Sequence, residues 1–282
     1  MSKLKHTFKT DTLFKILFTK NQDLLKKLVS RLLTIPIDSI TAFRILNTEI
    51  PPSELNKKFS RLDIHMAVNE KQVNLEIQVE NEGDYTERVL LHWARIYSNT
   101  LPTGGDYIDL PQTVIISIMD FTLFKDCVEF HSEFRLLEVK RKTSLTDKQI
   151  LHFFELPKLP DNIEKDDLLR LWLALFNANT EEDLKMLEEL DVPEVNEAIT
   201  AYRSVTASQE FLEIERMREM TRYTEASSLH HAEKRGVARG AELERKLWEN
   251  VVIEKDVEIA NKDIEIETLR KQLLDLKVKP ES

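Results

Sequence analysis

The run Arg61-Leu62-Asp63-Ile64-His65-Met66-Ala67-Val68, with Val73-Asn74-Leu75-Glu76-Ile77-Gln78-Val79 close behind it, decides the fold. Apolar and polar residues alternate in both stretches, the period of a half-buried β-strand. Leu62, Ile64, Met66 and Val68 form one apolar set; Val73, Leu75, Ile77 and Val79 form the other. The connection is short enough for a hairpin. Putting both apolar sets on one face leaves two registers. A two-residue loop sets Val68 against Lys71 and Asp63 against Glu76. A four-residue loop sets Val68 against Val73 and Asp63 against Gln78. A one-residue slip would turn every side chain over. Either register gathers two carboxylates and an amide on the opposite face, which in a bare sheet is the wet side. Facing like charges destabilise a hairpin. A divalent cation would relieve them, and oxygen ligands of this kind suit magnesium or manganese.

Around the hairpin lie further ordered segments: Asp11-Thr12-Leu13-Phe14-Lys15-Ile16-Leu17-Phe18 before it, then Glu87-Arg88-Val89-Leu90-Leu91-His92-Trp93-Ala94-Arg95-Ile96-Tyr97, Gly104-Gly105-Asp106-Tyr107 and the strand Thr113–Ile118 after it. With Phe134–Glu138 and Phe153–Leu159 this order resembles the recombination-promoting nuclease / putative transposase family of the PD-(D/E)xK nuclease superfamily, over roughly residues 8 to 230. The resemblance implies an α/β fold with an αβββαβ core around a divalent metal, Mg2+ or Mn2+, that hydrolyses DNA phosphodiester bonds. It also implies that Asp63 and Glu76 are acidic metal ligands, that the Ile77 carbonyl completes the shell, and that Gln78 stands where many superfamily members carry lysine. An amide can orient a water but brings no positive charge. Lys15 on the first helix is the candidate replacement cation, Asp11 beside it the candidate third carboxylate, and Arg88 the candidate phosphate contact. The plain alternative for Arg88 is an ion pair with a neighbouring Glu.

Composition narrows the remaining choices. The chain has 282 residues, a single cysteine (Cys127) and five glycines. It therefore lacks an internal disulfide and a phosphate-cradling glycine loop, and it suits a reducing compartment. Adjacent His230-His231 lacks zinc-finger spacing. With no long apolar run and no apolar leader after Met1-Ser2-Lys3, the reading is of a cytoplasmic protein with no membrane span. A net charge of −10 argues against general nucleic-acid coating. Its distribution is uneven: residues 1–60 hold 11 Lys/Arg against 5 Asp/Glu, including Lys9, Lys15, Lys20, Lys26, Lys27, Lys57 and Lys58. A basic flank beside an acidic site is what binding a phosphate backbone requires.

Three regions are expected: a nuclease-like core with added strands over 1–160, a helical region over 161–235 and a coiled-coil-like tail over 236–282. Within the first, the helix after the hairpin is expected to bury Leu90, Leu91, Ala94, Tyr97 and Leu101. Further strands are expected over 128–139 and 151–156, and a long charged helix over 196–223. In the tail, Ile253, Val257, Ala260 and Ile264 form one seam, and Ile266, Leu269, Leu273 and Leu276 a second, offset by two residues. Such a tail is expected to join copies of the chain. Three functions compete: a metal-dependent DNA endonuclease, a nuclease-fold protein that binds DNA or a partner without cutting, and a coiled-coil interaction protein.

Overall fold

The computed structural model describes residues 2–46, 63–101, 104–160 and 162–277. Two helices lead the chain, α1 (Asp11–Lys20) and α2 (Gln22–Leu32). Then come β1 (Phe43–Ile45), β2 (Ile64–Val68), β3 (Lys71–Gln78), α3 (Tyr85–Asn99), β4 (Thr113–Met119), β5 (His131–Arg135) and β6 (Gln149–Glu155). Helices α4 (Leu168–Asn177), α5 (Glu181–Glu189), α6 (Pro193–Thr206) and α7 (Gln209–Lys277) complete it. The strands form one six-stranded sheet in the order β1-β2-β3-β4-β6-β5. This is a mixed α/β architecture consistent with a PD-(D/E)XK nuclease-like fold.

The hairpin adopts the two-residue loop. Val68 pairs with Lys71, Met66 with Val73 and Ile64 with Leu75. Asn69 sits at the turn with φ +53°, a left-handed conformation that asparagine tolerates better than most residues. Its side chain also clamps the chain ahead of β1. Oδ1 accepts from the main-chain N–H groups of Thr41 (2.9 Å) and Ala42 (3.1 Å), and Nδ2 donates to the Ser39 carbonyl (2.9 Å). Residue 69 thus fixes both the hairpin register and the approach of its neighbouring strand.

The two faces of the sheet are covered unequally. Ile64, Met66, Val68, Val73 and Leu75 join Val114, Ile116, Ile118 and Phe154 in the main core. α1, α2, α4 and α6 pack there through Leu13, Phe14, Leu25, Leu28, Trp172, Phe176 and Ile199. On the other face Ile115, Met119, Leu151 and Phe153 meet Tyr85 and Val89 of α3 in a smaller cluster. β4 and β6 are consequently buried along their whole length, and β4 reads as an unbroken apolar run apart from two hydroxyls.

Several expectations are corrected. α3 buries Tyr85 and Val89 and packs Trp93 and Ile96 partly against the sheet. Leu90 and Leu91, expected inside, are exposed. Val79 is also exposed, because β3 ends one residue earlier. The polar face of the hairpin is not a wet face: Asn74 and Glu76 are buried beneath α3's side of the sheet. The expected helix over 196–223 is two helices, broken at Ala207-Ser208, where Ser208 Oγ accepts from the Phe211 N–H (3.3 Å) and opens α7.

Residues Met1–Thr221 form one compact unit and Arg222–Ser282 a second. In the second, the seam residues Ile253, Val257, Ile264, Ile266, Leu269 and Leu273 are all exposed on the single chain. The side chain of Leu276, like Leu62 of the hairpin, lies outside the described residues.

The Asn69 clamp has a measurable cost. Asn69→Ala loses four hydrogen bonds, the Thr41 hydroxyl also donating to Oδ1, and leaves a left-handed backbone without the compensating amide. Urea unfolding should show a loss of about 1–2 kcal/mol. Asn69→Gly should lose less, since glycine adopts the conformation freely; equal losses for the two would mean that the amide contacts dominate.

Candidate active site

Register alone brings the acidic pair together. Ile64 faces Leu75, so Asp63, one residue before β2 begins, falls beside Glu76. Glu76 sits in the middle of the sheet with only 5% of its surface exposed. A lone buried carboxylate would be costly, and its surroundings supply donors. The Tyr85 hydroxyl donates to Oε1 (2.7 Å), as does Ser117 Oγ (3.0 Å). Ser117 is in register with Glu76 on the parallel neighbour β4. His92 Nδ1 lies 3.6 Å from Oε2. Burial works to raise the Glu76 pKa, but the His92 contact and the Tyr85 and Ser117 hydrogen bonds outweigh it and hold the group below its ordinary value.

Asp63 is shifted the opposite way. Burial and the negative charge of Glu76 raise its pKa, against the opposing pull of Lys15, His92 and the Asn74 amide. Two adjacent carboxyls with pKa values pushed apart mark a candidate site. Lys15 reaches in from α1, where only 2% of it is exposed. Its Nζ donates to the Asp63 main-chain carbonyl at 2.9 Å. Burial lowers its pKa to about 8, although Asp63 nearby raises it.

The other candidates are placed differently. The peptide of Ile77 faces the Asp63 side of β3. Gln72 N–H donates to the Gln112 carbonyl and Gln78 carbonyl accepts from Asp120, so even-numbered peptides of β3 face β4 and odd ones face β2. Gln78 shares the face of Glu76, but its side-chain Nε2 donates to the Glu80 carbonyl (2.8 Å). Asp11, one turn before Lys15, is drawn to Arg218 of α7 (3.9 Å). Arg88 stacks over the Tyr85 ring (4.9 Å to its centre) and pairs with Glu82, the plain alternative raised for it. Part of the basic flank is also committed: Lys9 pairs with Asp120 (2.7 Å), Lys20 with Glu210 and Lys27 with Glu197. Lys57 and Lys58 lie outside the described residues.

Sequence reading missed Tyr85, Ser117 and Asn74 around Glu76. His92 lies four residues after Arg88 on the same helix, and nothing in that spacing ties it to Glu76. Among the described residues, no group of three or more His, Cys, Asp or Glu side chains is arranged to hold a metal ion. Two carboxylates remain, which is what magnesium commonly takes from a protein when waters and substrate phosphates fill the rest of its shell. The donor chemistry and the repulsion felt by Asp63 fit a hard divalent cation.

The sheet and its helices, with one carboxylate just before β2 and the other near the end of β3, are consistent with a PD-(D/E)XK nuclease-like core. A family profile described as PD-(D/E)XK nuclease family transposase matches residues 8–232, and the chain belongs to that family. No curated protein and no solved structure matches it. The family supports a nuclease or transposase-like function, and its nucleases typically use divalent metals. Among the described residues no helix is long and apolar enough to cross a membrane.

Lys15 yields a pH signature. Burial lowers its pKa in the folded chain to about 8, from the ordinary lysine value of 10.5. Below about pH 8 the ammonium is held in a site that disfavours it. Between about 8 and 10.5 the folded chain has released a proton that the unfolded chain retains, so stability rises with pH. The gain is on the order of a few kcal/mol. Comparing melting temperatures of the wild type and Lys15→Met from pH 7 to 10.5 isolates it: the variant should lack this rising component.

Proposed function

We propose that the chain is a metal-dependent DNA endonuclease, with Asp63 and Glu76 as the metal-holding carboxylates and the Ile77 carbonyl beside them. The observation that carries the reading is the hairpin register, which sets Asp63 beside a buried Glu76 held by the Tyr85 and Ser117 hydroxyls. When bound, Mg2+ or Mn2+ would polarise the scissile phosphate and lower the pKa of an attacking water. The chain's own residues do the rest. Tyr85 and Ser117 keep Glu76 in one orientation. Lys15 brings a cation to the acidic pair and offsets charge on the phosphoryl oxygens, the task that Gln78 cannot perform. Gln78, released from Glu80, would orient a water through its amide. Arg88 would contact a phosphate by exchanging Glu82 for it.

A second reading, a nuclease-fold protein that binds DNA without cutting it, draws on Gln78, which is neutral and turned toward Glu80. The two part on one assay. Purified protein is incubated with plasmid DNA and Mg2+, alongside an EDTA control. Asp63→Ala and Glu76→Ala should each lower cleavage by about 100-fold or more, while DNA retention in a mobility-shift assay persists. Wild-type cleavage by a clean Glu76→Ala preparation would remove these residues from the site.

Assembly through the tail belongs to the same proposal. The exposed seams of α7 have little stability in water as a lone helix, and pairing with another copy buries them. Two sites in one particle could then cut both strands of a duplex in one encounter. Truncation after Gly240 should give a monomer by light scattering and favour nicks over double-strand breaks; an unchanged particle mass would place any self-association elsewhere.

A further inference from the structure

A second buried polar cluster lies away from the acidic pair, where the start of α7 meets the start of α1. Phe211 is fully buried in the main core and Ile214 packs against it. Glu215 and Arg218 continue this face at i+4 and i+7, with only 7% and 5% of their surfaces exposed. The Thr12 hydroxyl donates to Glu215 Oε1. His6 Nδ1 stands 3.7 Å from Glu215 Oε2, and the His6 ring meets Phe211 edge-on at 5.0 Å. Arg218 lies 4.0 Å from Glu215 Oε1 and 3.9 Å from Asp11 Oδ2. Two charged groups of α7 therefore hold Asp11 and Thr12, the first two residues of α1.

Lys15 is one turn further along that helix, at i+4 from Asp11 and i+3 from Thr12. Its Nζ meets the Asp63 carbonyl at 2.9 Å. A lysine buried this deeply keeps to one carbonyl only while its helix holds its rotation and depth to within the play of the four-carbon stem. The apolar side of α1 specifies this less sharply, since hydrophobic burial is non-directional. The Thr12–Glu215 hydrogen bond is directional, and the Arg218 ion pairs with Glu215 and Asp11 add charge contacts at the same end of the helix. Buried ion pairs are also weak stabilisers, which leaves geometric specificity as a reason to carry one.

We infer that Glu215 and Arg218 are positioning residues for the acidic site: they set the rotation of α1, and through it the reach of Lys15 to Asp63. The inference rests on the reading of Asp63 and Glu76 as the catalytic carboxylates. Neither Glu215 nor Arg218 touches substrate; they act only through α1.

The test uses the full-length chain with Arg218→Ala, Arg218→Lys, Glu215→Gln, Lys15→Ala and the double variant Arg218→Ala/Lys15→Ala. The first readout needs no catalysis. Lys15 is titrated with an amine-acylating reagent and its modification rate is followed by peptide mass spectrometry, with thermal melting to confirm folding. Arg218→Ala should raise the Lys15 rate by about tenfold or more, because the rate follows loosening of a buried amine. Arg218→Lys should restore most of the protection. Should Arg218→Ala fail to fold, Glu215→Gln, which keeps an acceptor for Thr12 and removes the charge, takes its place and should raise the rate in the same direction. An unchanged Lys15 rate in a folded variant overturns the inference, whatever the protein's activity. The second readout is Mg2+-dependent cleavage. Arg218→Ala should lower kcat about tenfold or more with KM little changed, and the double variant should be no slower than Lys15→Ala alone. Additive losses would show that Arg218 acts by another route. Absence of cleavage in the wild type would overturn the nuclease reading instead, and the acylation result would still decide the placement of Lys15.

Discussion

The structure is organised around one buried negative charge. Glu76 lies in the central part of the sheet, on a strand flanked by β2 and β4 and covered on both faces. A carboxylate there has no water to solvate it, so protein donors must take water's place. Tyr85 comes from α3 and Ser117 from β4. The first fixes α3 over this face of the sheet, and the second ties the parallel register of β3 and β4 to the chemistry of the site. With both donors on Oε1, the second oxygen is left on the His92 side. Glu76 is thus ionised and oriented before anything binds.

Asp63 completes the arrangement by being its opposite. It is half-buried, next to an existing negative charge, and its ionisation is resisted. Such a pair is unstable as two bare anions and comfortable as two ligands of one cation. The sheet places the pair by hydrogen-bond register, so the spacing of the carboxylates depends on the hairpin turn. The turn in turn depends on Asn69, whose amide binds the chain near residues 39–42. A polar residue at the far end of the hairpin therefore controls which side chain Asp63 faces.

What was legible in the sequence follows from this. Strict alternation made the hairpin and the parity of its faces visible, because a period of two permits no other burial. The choice between two loop lengths was not visible, because it is made by Asn69 contacts across 27–30 residues. The parallel neighbour of Glu76 was hidden for a related reason: the connection through α3 does not fix the register, so Ser117 looked like an ordinary strand serine. α3 itself was misread because apolar residues occur around most of its circumference. Leu90 and Leu91 outcompeted Trp93 and Ile96 in the pattern, yet the inner face had to admit polar His92 and Tyr85 to serve the carboxylate. The break at Ala207-Ser208 was missed because a serine cap resembles any other polar residue in a charged helix.

Under the proposed reading, Lys15 accommodates a departure from the superfamily pattern. Where a lysine two residues after the glutamate would project from β3, the chain has Gln78, held by the Glu80 carbonyl. A cation is nevertheless present at the acidic pair, carried by α1 from beneath the opposite face and reaching the main chain of Asp63. A lysine on β3 would be positioned by the strand that carries Glu76. A lysine on α1 is positioned only as well as the helix is. That difference shifts the precision of the site from the sheet to the helix packing, and it gives a physical role to a costly set of buried charges at the α1–α7 contact. The polar residues that look least economical in the fold, Glu215 and Arg218, are those best placed to supply that precision.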